Sequence, residues 1–398
     1  MTSSTLQDVL VVGGSVAGSA VAVGLARLGH TVTVLDKVAF PRDKPCGEGV
    51  MPGGAEALER LGVAVELKAR GARPLEGIVY HQGEDTAVGR FPNGRTGLCV
   101  RRLELDAVLA GLCQRSGVTR HEGAGVGGVS RANGVWTVAT PQGEFCGRLL
   151  VGADGRGSAV RRHLGLDGGH RGTNRYGVRQ HYKLRNPPKD GLVHVFMMGD
   201  HEVYLTPSAP DCVNLAVLLG KSRSTMLKGD LEGAFLRTVC AVPQVAALLE
   251  GATPASEALA CGPLRVTPKG VVADAALLVG DASGYVDAIT GEGVSLALQQ
   301  AEAAVDVLHH ALETGADDAE DLSVYARAHK RLTFTHALMT ELVLFGAGRP
   351  WLMGRVVRAL HKQPHLFEKM LGVNDGQVSL PRALITLGPR LALGTALG

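Results

Sequence analysis

The chain has 398 residues, 45% hydrophobic and 20% charged, enough to bury a large core and too apolar for a disordered chain. Its 41 Lys and Arg stand against 38 Asp and Glu, a net charge of +3 with no basic run, so no nucleic-acid partner is expected. The seven cysteines are odd in number and contain no C-x-x-C pair, which argues against a disulfide framework and against a metal site.

From Asp8 to Val12 the run DVLVV reads as a buried strand. After a Gly-rich turn, SAVAVGLARLG has helical spacing and stops at Gly29, and Thr31 to Asp36 alternates as a second strand. Strand, turn, helix and strand within about thirty residues predict a βαβ unit on a parallel sheet. In Val12-Gly13-Gly14-Ser15-Val16-Ala17-Gly18, Gly13 permits the tight turn and Gly18 lets helix pack closely on strand. The backbone N–H groups around Ser15 and Ala17 are then aimed at a diphosphate. Ser15 stands where G-x-G-x-x-G has its middle glycine, so its side chain must point away from the diphosphate. Asp36, 23 residues after Gly13, is placed for an adenosine ribose, with Lys37 beside the adenine.

Downstream, PRDKPCGEGVMPGG reads as a loop, AEALERLG as a helix and GIVY as a strand, and a helix is predicted over Arg101 to Ser116. Residues 124–150 read as a hairpin, turning at Pro141 to Gly143, followed by a strand that returns to the first sheet. RYGVRQHYKL, LVHVFMM, EVYLTP and VNLAVLL predict antiparallel strands of a second domain. ALLVGDA is a further buried strand and VSLALQQAEAAVDVLHHALE a strong helix, with a mostly helical remainder from about residue 320.

Two more segments carry chemistry. In LLVGADGRGSAVRR an apolar strand runs into Asp154 and a basic helix start, and in LLVGDASG another leads to Asp281. Asp281 is suited to ribityl hydroxyls, and Gly291-Glu292-Gly293-Val294 opens a helix whose dipole favours negative charge on a reduced ring. For either acid taken alone, a helix cap is the competing role.

GGSVAG, LLVGADGRGSAVRR and LLVGDASGYVDAITGEG together resemble the flavoprotein monooxygenase superfamily of the para-hydroxybenzoate hydroxylase fold, in its geranylgeranyl reductase-like branch. The resemblance implies an α/β protein: a Rossmann-type FAD-binding domain in parts 1–75, 99–172 and 266–315, an interleaved antiparallel-sheet substrate domain in 76–98 and 173–265, and a helical C-terminal region, 316–398. It further implies an FAD contact from Arg102, with Arg101 as its substitute, and places Cys46, Gly47 and Glu48 near the isoalloxazine.

The scaffold hosts several reactions. Trp136 and Trp351 do not form the W-x-W-x-I-P segment of tryptophan-type halogenases, and Tyr204-Leu205-Thr206-Pro207 lacks the Trp and Phe of the Tyr-x-Trp-x-Phe-Pro strand of geranylgeranyl reductases. The leading expectation is therefore a monooxygenase of an aromatic or polyketide-like molecule, with NADH or NADPH as a transiently docked donor. An isoprenoid C=C reductase is the alternative, and halogenation or a non-catalytic FAD protein ranks below. Arg179, His181, Tyr204 and Thr206 are the substrate-side candidates, His181 as a general base and Cys46 as a redox-active thiol, against plain packing roles for both. MTSSTLQ lacks a signal-peptide pattern and no apolar run is long enough to span a bilayer, so a cytoplasmic protein without a transmembrane segment is expected. TELVLFG and LPRALITLGPRLALG are apolar enough for a subunit or peripheral membrane contact, with packing on the first domain as the simpler account.

Overall fold

The computed structural model describes residues 5–169 and 174–377. β1 (Gln7–Val12), α1 (Val16–Arg27) and β2 (Val32–Asp36) form the predicted βαβ unit. β1 is an inner strand, paired in parallel with β2 on one side and with Gly143–Gly152 on the other. A strand covered on both faces needs an unbroken apolar run, and Val9, Leu10 and Val11 are fully buried. Thr119–Glu122 extends this eight-stranded sheet beyond β2, and Ala276–Leu278 extends it beyond Gly143–Gly152. Val12 is in register with Gly152, and Gly152 with Leu278. The three motif segments, far apart in sequence, therefore leave the sheet side by side at one edge.

The second eight-stranded sheet runs Thr253–Pro254, Arg175–Lys183, Cys212–Gly220, His201–Ala209, Leu192–Met197, Gly77–Gln82, Asp85–Arg90, with Leu259–Cys261 alongside Arg175–Lys183. It is antiparallel as expected except for one pair: Leu192–Met197 lies parallel to Gly77–Gln82, which enters from the earlier chain excursion. Phe196, Val203, Val213 and Leu215 pack on one face with Phe235 and Val239 of the helix Leu231–Cys240. The other face, with Tyr80, Val195 and Tyr204, meets Val357, Leu360 and Phe367 of the C-terminal helices Pro350–Lys362 and Pro364–Asn374. The region 124–150 holds one strand more than the predicted hairpin, Gly128–Ala132, because the register of Val135–Thr140 offers it a free edge. TELVLFG lies in the helix Ser323–Ala347, whereas LPRALITLGPRLALG lies outside the described residues. Among the described residues no helix is long and apolar enough to cross a membrane.

Candidate active site

Backbone approach builds the glycine turn. Gly13 has φ +103°, and a Cβ there would stand 2.3 Å from the Ala153 carbonyl oxygen; one on Gly18 would stand 1.8 Å from the Gly13 oxygen. Only glycine fits either place. Ser15 is the N-cap of α1 yet makes no side-chain bond to the helix. Its hydroxyl donates to Asp106 Oδ1 at 2.5 Å and accepts from the Arg102 guanidinium at 2.8 Å, leaving the first helical N–H groups for an anion. Asp36 braces the turn itself: Oδ2 accepts the Gly14 N–H at 2.7 Å and Arg42 at 3.2 Å, and Oδ1 accepts the Val38 N–H at 3.0 Å. Lys37, next to it, is exposed.

Cations converge on the mouth of this turn. Arg102 is buried, with Nε on Asp106 Oδ2 at 2.9 Å, and Lys44 Nζ lies 3.5 Å from Ser15 Oγ. Arg156 reaches Asp281 at 3.7 Å. Burial, and then repulsion from Arg102, push the Lys44 ammonium down to about 8. Three cations with two carboxylates leave a desolvated positive excess beside free helix N–H groups, so these residues fit a dinucleotide diphosphate. Arg101 turns instead to Asp43, 3.9 Å away, and is not on the cavity wall.

The two acids part company. Asp154 Oδ2 accepts the Ala159 N–H at 2.6 Å and the Val160 N–H at 3.2 Å, capping the helix Ala159–His163. Asp281 lines the cavity. Gly291, Gly293 and Val294 line it too, at the N-terminus of Gly293–Thr314, while Glu292 between them points at Asn374. Burial, with Asp375 nearby, raises the Glu292 carboxyl well above its usual range. With Glu292 turned to Asn374, the positive end of that helix faces the cavity through Gly291, Gly293 and Val294.

A continuous cavity joins these segments to the second sheet. Beyond the motif segments and the loop Lys44-Pro45-Cys46-Gly47 it becomes an apolar chamber walled by Met51, Ile78, Val193, Val195, Leu218 and Leu264. Tyr80, Tyr204 and Tyr285 add phenols, and Thr206 a hydroxyl. The Tyr204 hydroxyl donates to the Ile289 carbonyl at 3.1 Å. Burial pushes Tyr80 up to about 12 and Tyr285 well above its usual value, so both stay protonated. Sequence reading missed Lys44, Arg156, Tyr80 and Tyr285; a basic residue inside Gly155-Arg156-Gly157 and an aromatic just after the Asp281 turn were the available signals.

His181 and Arg179 serve a different end from the one expected. His181 is fully buried and off the cavity wall, its Nε2 bonded to Glu48 Oε2 at 2.7 Å and its Nδ1 to Ser256 Oγ at 3.0 Å. With both ring nitrogens engaged, the imidazole occupies the packing role that was weighed against the general base. Arg179 does line the cavity, but its guanidinium holds Asp43 at 2.6 Å and the Lys44 carbonyl at 3.3 Å. Asn214, opposite His181 on the next strand, donates to the Cys46 carbonyl at 2.7 Å. Glu48, at φ +65°, also accepts the Arg102 N–H at 2.9 Å. The second sheet thus grips the loop 43–48 at three points and presents Cys46 to the cavity. His30, His309 and Glu313 form a group of metal-ligand types, but the two imidazoles bond each other at 2.8 Å and none of the three lines the cavity.

A diphosphate hole at one end of a cavity and an apolar, phenol-bearing chamber at the other is the division of labour of a dinucleotide-dependent oxidoreductase. The chain belongs to the FAD binding domain family, which matches residues 7–231, and it is an FAD-dependent oxidoreductase. It is 32% identical over 336 residues to the menaquinone reductase of Mycobacterium tuberculosis, covering 76% of each chain. It is 27% identical over 325 residues to the 6-methylpretetramide 4-monooxygenase of Streptomyces rimosus, covering 76% of this chain and 75% of that one. A flavoprotein/dehydrogenase from Cytophaga hutchinsonii shares the fold, with a TM-score of 0.85 and 19% identity over 99% of this chain and 98% of that one.

Proposed function

We propose that this oxidoreductase acts on a neutral, largely hydrocarbon small molecule bearing a hydrogen-bond-accepting oxygen, and that it reduces an activated carbon–carbon double bond with NADH or NADPH as donor. Bound FAD supplies two-electron transfer between donor and substrate; the net change is a hydride from the nicotinamide and a proton from water added across the double bond. The observation that carries this reading is the chamber's chemistry. Its walls are apolar, its phenols are protonated, and of the two carboxylates on the cavity wall Glu48 has its oxygens on the Arg102 N–H and on His181 while Asp281 faces Arg156 at the diphosphate end. Tyr80 and Tyr285 orient an acceptor oxygen and can relay the proton; Arg179 is neutralised by Asp43 and recruits no substrate anion. Ser15, Lys44, Arg102 and Arg156 hold the diphosphate, Asp281 the ribityl hydroxyls, and Asp36 the ribose end. Similarity to a menaquinone reductase over three quarters of the chain supports a prenylated, quinone-like substrate.

Sequence alone ranks oxygen transfer to an aromatic or polyketide-like substrate first. The engagement of His181 by Glu48 and Ser256, and of Asp281 by Arg156, supports the reverse order, since these are the groups among the described residues that a phenolic substrate would need as a base. Oxygen transfer is kept as the second reading because the chamber walls are largely apolar, as suits that chemistry, and because of the monooxygenase relative. The product's mass decides. Purified protein with NADPH and a polyprenyl quinone should yield a product carrying two more hydrogens, formed equally well without oxygen; a gain of one oxygen atom, only in air, would establish the second reading instead.

A further inference from the structure

The helix Ser323–Ala347 and the start of Pro350–Lys362 present an apolar face that is uncovered among the described residues. Phe334, Leu342, Phe345 and Trp351 are 58%, 54%, 54% and 64% exposed, and half-buried Leu338 joins them. At spacings of four, eight and eleven residues from Phe334, the helical members fall on one stripe of the helix surface. Single exposed hydrophobics need no explanation, but a contiguous row of this size marks a contact surface.

The charges around the row name its partner. Between Ser323 and Lys362 there are seven Lys and Arg and a single acid, Glu341, which is paired with Arg265 at 2.7 Å. Arg327, Lys330 and Arg331 stand exposed at one end of the row, and Arg349 and Arg355 at the other. The Arg349 guanidinium stacks on the Phe345 ring at 3.8 Å. A two-fold contact between copies would set these cations against their own images, which is repulsive. An anionic lipid surface meets the same face with opposite charge and receives Phe, Leu and Trp at headgroup depth.

We propose that this face docks the protein on an anionic bilayer, lying in the plane of the interface rather than spanning it. Docking places the chamber beside the lipid: the inner side of the same helix buries Val343 and Ala347 with Tyr80, Tyr204 and Ile289, and Thr340 Oγ1 meets Thr290 Oγ1, on the cavity wall, at 3.1 Å. The inference concerns binding alone and stands whichever reaction the chamber performs.

The test is flotation of the full-length holoprotein with vesicles of phosphatidylglycerol and phosphatidylcholine, or of phosphatidylcholine alone. Co-flotation with the anionic vesicles, weakening as salt rises, is expected. Phe345→Asp with Trp351→Asp should abolish it while leaving the FAD:protein ratio unchanged, because both side chains are exposed. Arg331→Glu should weaken it by about fivefold or more, from ≈ 1 kcal/mol per surface cation. Absence of flotation with anionic vesicles, or flotation equal in the double variant, would overturn the proposal. So would sedimentation showing a dimer that the double variant dissociates, which would assign the face to a second copy.

Discussion

Lys44 offers the sharpest test of the diphosphate hole. In the FAD-free protein its ammonium is held down at about 8, chiefly by burial and next by Arg102, with Asp106 and Asp281 only partly compensating. A bound diphosphate supplies the missing anion and raises that value, so above pH 8 each FAD that binds must bring a proton with it. By linkage the dissociation constant then climbs by about tenfold per pH unit until the pKa of the complex is reached. Lys44→Met removes the titrating group and one charge-assisted contact worth about 1.5–3 kcal/mol, a loss of about 10- to 100-fold in affinity at pH 7. The assay is fluorescence titration of FAD into apoprotein at steps from pH 6.5 to 9.5. Expected are a wild-type affinity flat below pH 8 and falling above it, and a weak, flat variant. Equal slopes in the two proteins, or less than a threefold difference at pH 7, would refute the hole. The sign for stability is opposite: the unfolded chain keeps this proton up to about 10.5, so the FAD-free fold gains stability as pH rises from 8 to 10.5.

Gly18→Ala drives a methyl onto the Gly13 oxygen, and the purified variant should retain little or no FAD by its absorbance ratio. Asp281→Ala and Asp36→Ala should each lower FAD retention, Asp36→Ala also costing about 1–3 kcal/mol of stability in urea because the buried Gly14 N–H loses its acceptor; wild-type flavin content in both would dismiss these sites. His329 is buried against Ser283 at 2.8 Å, and burial lowers it to about 4. The unfolded chain takes up that proton near 6.5, so stability should be lost as pH falls from 6.5 towards 4, by up to roughly 3 kcal/mol, and His329→Gln should flatten urea midpoints across that window. Glu292→Gln keeps shape and neutrality and should change stability by less than about 0.5 kcal/mol. Glu292→Ala, which strands the Asn374 amide, should cost about 1–3 kcal/mol, and similar urea midpoints for the two variants would show that Glu292 carries its charge.

The parallel sheet and its three cavity-facing turns were legible because their signals are local: an apolar run, a glycine at a forced position, an acid after a strand. Alternation along Arg175–Lys183 also put Arg179 and His181 on the cavity side of their strand. It could not say where the side chains end, because His181 finds Glu48 across 133 residues and Asn214 finds the Cys46 carbonyl across 168. Asp154 was readable as an acid at a turn, yet its choice of the helix over a ligand is decided by the Ala159 N–H two bends further on. Lys44 looked like any loop cation, because its burial arises only when Arg102 and Ser15 arrive from other elements. The parallel pairing of Leu192–Met197 with Gly77–Gln82 is likewise a matter of which edge stood open, on which neither strand's own pattern bears.

The register line joining Val12, Gly152 and Leu278 bears on how the protein is made. The glycine turn and its first neighbour strand leave the ribosome early, but the third strand of that line emerges only after the whole second sheet. At ≈ 5–20 residues per second the interval is on the order of ten seconds, during which a buried-type strand edge has no partner. Later still, Asn374 and Asp375 reach back to Glu292 and to the Gly53 N–H, the latter at 2.8 Å across 322 residues, and seat the helix Pro364–Asn374 behind a pocket wall already made. The described wall of the nucleotide pocket is therefore assembled only once synthesis has passed Ala297. A nascent chain stalled before Ala276–Leu278 is a translation product whose second sheet can be formed while its nucleotide pocket still lacks the Asp281 turn.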